Sequence, residues 1–224
     1  ESYDAEPQFD NAFSILLHGY TLILTLTKKY AALVMNPPYM GAANMNKDLK
    51  EYLDSNYKEG KSDLMTAFMM KSMNYTKSNG YWAMIDLPSW MFLGSFEDLR
   101  KLIIEKQYIS SLLHLGRGIF GSDFGSVAFT IQNCEPNRKG YYRRLFKEHV
   151  QVRSVEQIHQ LYLNKSYGVF SISQKNFAKL PNSSIGYWIS DTVLNLFQEK
   201  RFASVGDSKQ GLATGDNNQF VRQW

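Results

Sequence analysis

Apolar residues come in short runs along this chain, separated by turn-forming residues, rather than at one sustained period. The run Ala31 to Met35 stops at Asn36-Pro37-Pro38-Tyr39. Proline cannot donate a ladder hydrogen bond, so the pattern predicts a buried strand ending at Met35. The next stretch, from Gly41 to Asp63, carries charges of both signs and few large aliphatics, and reads as a loop with one short helix. Leu64, Met65, Phe68, Met69 and Met73 then share one helical face, with Ser62 or Asp63 as N-cap and Asn79-Gly80 as the stop. Core packing is the expected use of most of these methionines. "YWAMIDLP" reads as a strand ended by Pro88, and "SFEDLRKLIIEK" as a helix capped by Ser95 with Asp98 three residues on. "YISSLLHL" and "SVAFTIQN" are two further strands about a glycine-rich turn. The order predicts an α/β sheet, largely parallel, that finishes in an antiparallel hairpin.

The run "AFSILLHGYTLILTL" is too short to span a bilayer and is interrupted by His18, Gly19, Tyr20 and threonines. A buried helix or strand is the expectation, with no membrane partner. The first residues, with Glu1, Asp4 and Glu6, lack the basic start of a secretory signal. The 224 residues are 44% hydrophobic and 14% aromatic, the composition of a folded globular chain. A lone Cys134 excludes a disulfide framework and suits a reducing, cytoplasmic compartment. The four histidines show no metal-ligand spacing, so no metal is expected.

Composition changes at Glu135. "EPNRKGYYRRLFKEHVQVR" holds six Lys/Arg against two Glu, with Tyr141, Tyr142 and Phe146 interleaved. Together with a net charge of +4 this permits a nucleic-acid partner without demanding one. Arg138, Lys139, Arg143 and Arg144 are the candidates for DNA phosphates, with a solvated linker as the competing account. The chain is expected to divide into residues 1–137, part of a catalytic domain, and 138–224, a basic linker leading into a recognition region. Its last segment, "GLATGDNNQFVRQW", breaks off in mid-pattern, and a piece of something longer is the expectation.

In open α/β sheets ligands collect beyond the carboxyl ends of strands, where the Asn36 turn is placed. A rigid turn there can aim a carboxamide oxygen, the Pro37 carbonyl and a flat ring at one space. The exocyclic amine of a planar heterocycle needs two acceptors and an aromatic face. Asn-Pro and Pro-Pro alone would favour a plain strand terminator; Asn-Pro-Pro-Tyr after an apolar strand in this pattern favours amine recognition. "GRGIFG" fits a dinucleotide fingerprint in letters only, because a strand rather than a helix follows it. "DFG" at Asp123 has no kinase catalytic loop beside it.

"NPPY" in this setting resembles the signature of amino-methyltransferases that use S-adenosylmethionine. "SDLMTAFMMK", "NGYWAMIDLPSWM", "SFEDLRKLI" and "LGRGIFGSDFGSVAFTIQN" follow in the order of the TaqI-like, N6-adenine-specific DNA methyltransferases. "MNPPYMG", "HLGRGIF…DFGSVAF" and "GLATGDNNQFVRQW" look most like the PglX-type enzymes of BREX phage-defence systems. The resemblance implies the C-terminal half of a Rossmann-like methyltransferase sheet ending in an antiparallel hairpin, followed by the start of a DNA-recognition region. It implies methyl transfer to the N6 amine of an adenine swung out of double-stranded DNA, possible defence-system subunits as further partners, and S-adenosylmethionine as cofactor. Asn36 and the Pro37 carbonyl would hold the amine, and Tyr39 would stack on the base through its ring. Phe120 matches the aromatic on the other side of the base, with Phe124 its rival; Pro38 and Phe68 match cofactor-lining positions. The family's glycine-rich cofactor loop and strand-end acids do not precede "NPPY" here, so these residues alone are expected to be inactive. Methylases of protein glutamine or RNA share "NPPY", and a non-catalytic DNA-binding or structural subunit is the other alternative.

Overall fold

The computed structural model describes residues 6–120, 124–148, 151–199 and 206. One compact unit runs through Trp188 and a second begins at Ile189. In the second, a short helix, Asp191–Leu196, is capped by the Ser190 side chain.

The first unit is built on a six-stranded sheet. Its strands are β1 (Tyr30–Met35), β2 (Thr76–Asp86), β3 (Tyr108–Arg117), β4 (Gly125–Gln132), β5 (Gly140–Arg144) and β6 (Val169–Ile172), in the spatial order β1-β2-β4-β3-β5-β6. β1, β2, β3 and β5 run one way. β4 and β6 run the other, so β1–β2 and β3–β5 pair in parallel while β2–β4, β3–β4 and β5–β6 are antiparallel. The hairpin of β3 and β4 is as expected, but its return strand inserts between β2 and β3. That makes the pairing mixed rather than largely parallel. The sheet also continues past the hairpin: the expected boundary at 137/138 falls between β4 and β5, which belong to one sheet.

Among the described residues, five α-helices belong to this unit: α1 (Glu6–Thr27), α2 (Lys47–Asn56), α3 (Leu64–Tyr75), α4 (Glu97–Lys106) and α5 (Val155–Leu163). Asp63 caps α3 as expected, accepting from the Met65 N–H at 3.0 Å. α3 ends at Tyr75 and not at Asn79-Gly80, because Thr76 already pairs with Tyr30; Asn79, at a φ of 61°, marks an irregularity inside β2 instead. Ser95 is not a cap either: a 3-10 turn at Gly94–Phe96 leads into α4, whose start has no side-chain cap. A full capping box forms at α5, where Ser154 and Gln157 satisfy each other's backbone N–H groups.

Helices α3 and α4 cover one sheet face. Met65, Met69, Trp82, Trp90, Leu99, Ile103, Ile109, Val127 and Ile131 are wholly buried there, and at about 1.5–3 kcal/mol per large side chain this is the main source of stability. α1 departs from expectation. It is a helix, but among its described side chains, residues 11–27, none is buried. Its apolar residues lie all round the axis, and burial would need a partner surface on every side. Thr21, Thr25 and Thr27 return their hydroxyls to carbonyls four residues back at 2.8 Å, which fits them into the helix. No described helix is long and apolar enough to cross a membrane.

A buried cation ties these layers together. Arg100 of α4 is fully enclosed, and its guanidinium donates to the carbonyls of Trp90 (2.8 Å), Leu93 (2.7 Å) and Asn182 (3.0 and 2.7 Å). Replacing it with methionine keeps the length but strands three carbonyls. Arg100→Met should cost about 3–5 kcal/mol, read as a lower urea midpoint with an unchanged slope. A midpoint within experimental error of wild type would show that water satisfies those carbonyls instead.

Candidate active site

The Asn36 turn leaves the carboxyl end of β1 beside that of β2. Pro37 is buried, whereas Asn36, Pro38 and Tyr39 are exposed, so one proline anchors a turn whose functional side chains face outward. The anchoring continues through Asp63, whose Oδ1 accepts from Met40 N–H at 3.1 Å as well as from the α3 cap position. One carboxylate thus binds the end of the turn to the start of a helix. Its negative charge at a helix N-terminus is favourable by about 0.3–1 kcal/mol.

A cavity of about 390 Å³ opens over the turn, lined by Asn36, Tyr39, Leu87, Phe120, Phe124 and Ser126. Asn36 and Phe120 are about 85 residues apart in the chain. They meet because β4 lies against β2, which brings Phe120, just past β3, and Phe124, just before β4, to the end of β1. Phe120 and Phe124 are 59% and 70% exposed, so both rings stand at the mouth of the cavity and neither is core. Two glycines set the backbone before Phe120. Gly116 and Gly118 take φ values of 75° and 108°, and a Cβ on Gly118 would collide with the Arg153 carbonyl oxygen. Their place is backbone geometry, with β3 running up to Arg117 and β4 beginning at Gly125.

The Tyr39 hydroxyl has a task that the sequence did not reveal. It donates to Asn36 Oδ1 at 3.0 Å and lies 3.2 Å from the Ile85 carbonyl. The phenol therefore holds the carboxamide, and the oxygen keeps a second lone pair for another donor. Burial, then the nearby Asp86, pushes the phenol pKa up, so the hydroxyl keeps its proton and remains a donor.

Asp86 was also missed. It ends β2, is 1% exposed, accepts from Leu87 N–H at 2.9 Å through Oδ1, and among the described residues has no partner for Oδ2. Burial raises its pKa to about 8; the Leu87 N–H lowers it, and Asp63 adds to the rise. A neutral carboxyl group beneath the turn is the result at neutral pH. An acid closing a strand that Pro88 terminates was the available signal, and it was outweighed by the apolar run before it.

Of the two expected cofactor-lining residues, Pro38 is exposed and is not among the residues lining the cavity at Phe68. Phe68 lines a separate cavity of about 350 Å³ with Leu26, Tyr52, Tyr57, Lys71 and others, and none of its described lining residues carries a carboxylate. The four basic candidates separate as well. Arg138 lies over the Tyr108 ring at 4.4 Å and donates to Gln132; with Lys139 it stands before β5, at the sheet end opposite the Asn36 turn. Arg143 is buried and donates to the carbonyls of Leu161, Tyr162, Asn164 and Tyr167, closing the end of α5. Arg144 sits at the same sheet end as the turn. Among the described residues no group of three or more His, Cys, Asp or Glu could hold a metal ion. The segment "GLATGDNNQFVRQW" lies outside the described residues.

A family model described as Eco57I restriction-modification methylase matches residues 2–120. The adenine-specific methyltransferase BrxX of Escherichia coli O9:H4 (strain HS) is 35% identical over 205 residues, which is 89% of this chain and 16% of that protein. The adenine-specific methyltransferase PglX of Lacticaseibacillus casei (strain Zhang) is 35% identical over 212 residues, 89% of this chain and 17% of that protein. The chain thus spans about one sixth of the length of these relatives. A solved structure from work on assembly and conformational transition of the type I R-M system superposes with a TM-score of 0.53 at 14% identity, covering 78% of this chain and 42% of that one. At that identity the likeness is one of fold.

The raised pKa of Asp86 makes stability fall with rising pH. Between its ordinary 3.8 and about 8 the folded chain holds a proton that the unfolded chain has lost. This carboxyl group's contribution is therefore full below about pH 4, declines through that window and is lost above it. Asp86→Asn, neutral at every pH, should remove this decline, so that the variant gains on wild type by up to about 1.4 kcal/mol per pH unit crossed. Urea unfolding from pH 4.5 to 8.5 measures it; parallel curves for the two proteins would place the folded-state Asp86 pKa below about 4.5.

Proposed function

The chain belongs to the Eco57I restriction-modification methylase family, and from that premise we propose that it carries the base-binding half of an N6-adenine DNA methyltransferase acting in a bacterial defence system. The observation that carries the reading is the convergence of Asn36, Tyr39, Phe120 and Phe124 on one cavity from distant parts of the chain. Its size of about 390 Å³ suits a single planar base, within the roughly 300–1,000 Å³ of small-ligand sites. Double-stranded DNA is the proposed substrate, a cytoplasmic setting the proposed location, and BREX-type defence proteins the proposed partners.

In this mechanism the adenine leaves the duplex, because its amine cannot be reached inside the stack, and enters between rings. Tyr39 stacks on one side, with Phe120 or Phe124 closing the other. The amine's two N–H groups donate to Asn36 Oδ1 and to the Pro37 carbonyl. Pro38 restricts the backbone that carries that carbonyl, and the Tyr39 hydroxyl holds the carboxamide at 3.0 Å, so little freedom is left to lose on binding. Fixing both protons points the nitrogen lone pair in one direction. The rate gain comes from positioning and from fixed dipoles, with no strong base required.

The proposed methyl donor is S-adenosylmethionine, which supplies an electrophilic methyl group on a positively charged sulfur. Phe68 and Pro38 offer apolar surface to such a group. The described cavity at Phe68 presents no carboxylate for ribose hydroxyls, so these residues fit only the apolar rim of the cofactor. No step is assigned to them.

Three substitutions in the full-length protein test the reading, with methyl incorporation into adenine-containing duplex as the readout. Asn36→Ala should abolish methylation while the melting temperature is kept, since the side chain is exposed and removes an acceptor rather than packing. Tyr39→Ala should lose about 1–3 kcal/mol of stacking, roughly 5- to 150-fold. Tyr39→Phe keeps the ring but frees the carboxamide, and should fall between wild type and Tyr39→Ala by about 1 kcal/mol, or roughly 5-fold. A folded Asn36→Ala protein that methylates normally would reduce the turn to a strand terminator and end the assignment.

A further inference from the structure

A second cavity, of about 350 Å³, lies at the carboxyl end of β5 and is lined by Phe92, His114, Arg144, Phe146, Lys147 and Trp188. At its centre is a half-buried guanidinium. Arg144 lies 5.4 Å from the Trp188 ring, 5.7 Å from Phe146 and 6.0 Å from Phe170. These rings fix the group, yet rings accept its five N–H donors only weakly. Among the described residues, Arg144 has no ion pair and its side chain donates no hydrogen bond. The neighbouring Arg143, by contrast, satisfies four carbonyls. A partly desolvated cation without an acceptor is costly, so the arrangement suits a ligand that brings one.

The surroundings define the ligand's chemistry. Lys147, exposed at the rim, adds a second positive charge, and none of the six lining residues is acidic. The nearest carboxylate in the adjoining cavity, Glu156, shares that space with Arg153 across Phe146 and Lys147. His114 Nδ1 is 3.1 Å from the Tyr187 hydroxyl, so that imidazole edge is turned to the interior. Phe92 and Trp188, 5.7 Å apart edge to face, supply apolar surface. Two cations beside exposed aromatic surface match a phosphate with a sugar or base attached.

Position decides which phosphate. Arg144 is paired with His114, His114 with Val127, and Val127 with Asp86, at the end of the sheet that carries the Asn36 turn. From β1 to β5 there are four inter-strand steps, or about 19 Å at roughly 4.8 Å each. At about 3.4 Å per nucleotide along a strand, that reach corresponds to five or six nucleotides. The backbone is held too: Arg144 N–H donates to the Gly168 carbonyl at 2.8 Å, and Gly168 has a φ of 63° with no room for a Cβ.

We infer that the Arg144 cavity is a phosphate subsite for the DNA strand flanking the extruded adenine, which rests on the DNA-methyltransferase reading above. Arg144 binds the phosphate as a planar fork, Lys147 adds charge, and Phe92 with Trp188 contact the attached sugar or base. The subsite carries no sequence information. It sets register, holding the duplex while the target base is out of the stack.

The test is equilibrium binding of the full-length protein to a 30-base-pair duplex across a salt series, with melting temperatures as the folding control. Arg144→Gln should weaken binding about threefold at 100 mM salt and reduce the slope of log affinity against log salt by about 1, equally for target and unrelated duplexes. Arg144→Lys should keep the slope while losing affinity, because charge remains and the planar fork does not. Lys147→Gln is exposed and cannot unfold the chain; it should also lower the slope. Wild-type slopes in folded Arg144→Gln and in Lys147→Gln would overturn the inference, as would a loss confined to one DNA sequence. If wild type binds and methylates duplex while those slopes stay unchanged, only the subsite fails. If wild type neither binds nor methylates duplex, the methyltransferase reading fails first.

Discussion

The position of β4 between β2 and β3 is the constraint on which the rest of this structure depends. Strand β4 carries Val127, Phe129 and Ile131 into the core and Ala128 and Thr130 to the opposite face. A slip of one residue would exchange those sets. Trp82 and Trp90 set edge to face on Phe129, at 5.7 and 5.2 Å, hold the register. With β4 fixed beside β2, Phe124 and Ser126 stand at the carboxyl ends of β1 and β2. The Asn36 cavity follows from core packing some distance below it.

Polar groups inside this core are treated in two ways. Arg100 and Gln174 are fully used: Gln174 accepts from Ile109 N–H at 2.8 Å and donates to the end of α4 at Ile103, Ile104 and Gln107. Such groups specify one arrangement of layers, because any other leaves them unpaired. Among the described residues Asp86 Oδ2, Trp90 Nε1, Tyr142 OH and Arg153 Nε are buried without a hydrogen-bond partner; Asp86 and the half-buried Arg144 side chain lie at the carboxyl end of the sheet. Along β5, one cation is satisfied by carbonyls and the next faces a cavity. Arg143 and Arg144 are adjacent: the first donates to four carbonyls, and the second lines a cavity.

The α/β order, the strand ending at Asn36 and the Asp63 cap were legible because each rests on local rules, whereas Phe120 and Phe124 were named through the family resemblance. Proline denies a hydrogen bond, aspartate accepts from a helix start, and apolar spacing distinguishes strand from helix. Less legible were features in which neighbours along the chain compete. The stop at Asn79-Gly80 yielded to pairing between Tyr30 and Thr76, and the Ser95 cap to a 3-10 turn.

Tertiary structure alone decided where β4 inserts, that β5 and β6 extend the sheet, and that the basic run from Arg138 to Arg144 is split between opposite ends and a buried helix cap. It also decided that Tyr39 uses its hydroxyl to hold Asn36, and that Asp86 keeps its proton. The reason is physical. Local hydrogen bonding and periodicity act over a few residues and are written in sequence order. Burial, register and the desolvation that shifts a pKa depend on what another strand, about 40 to 85 residues away in the chain, places within a few ångströms.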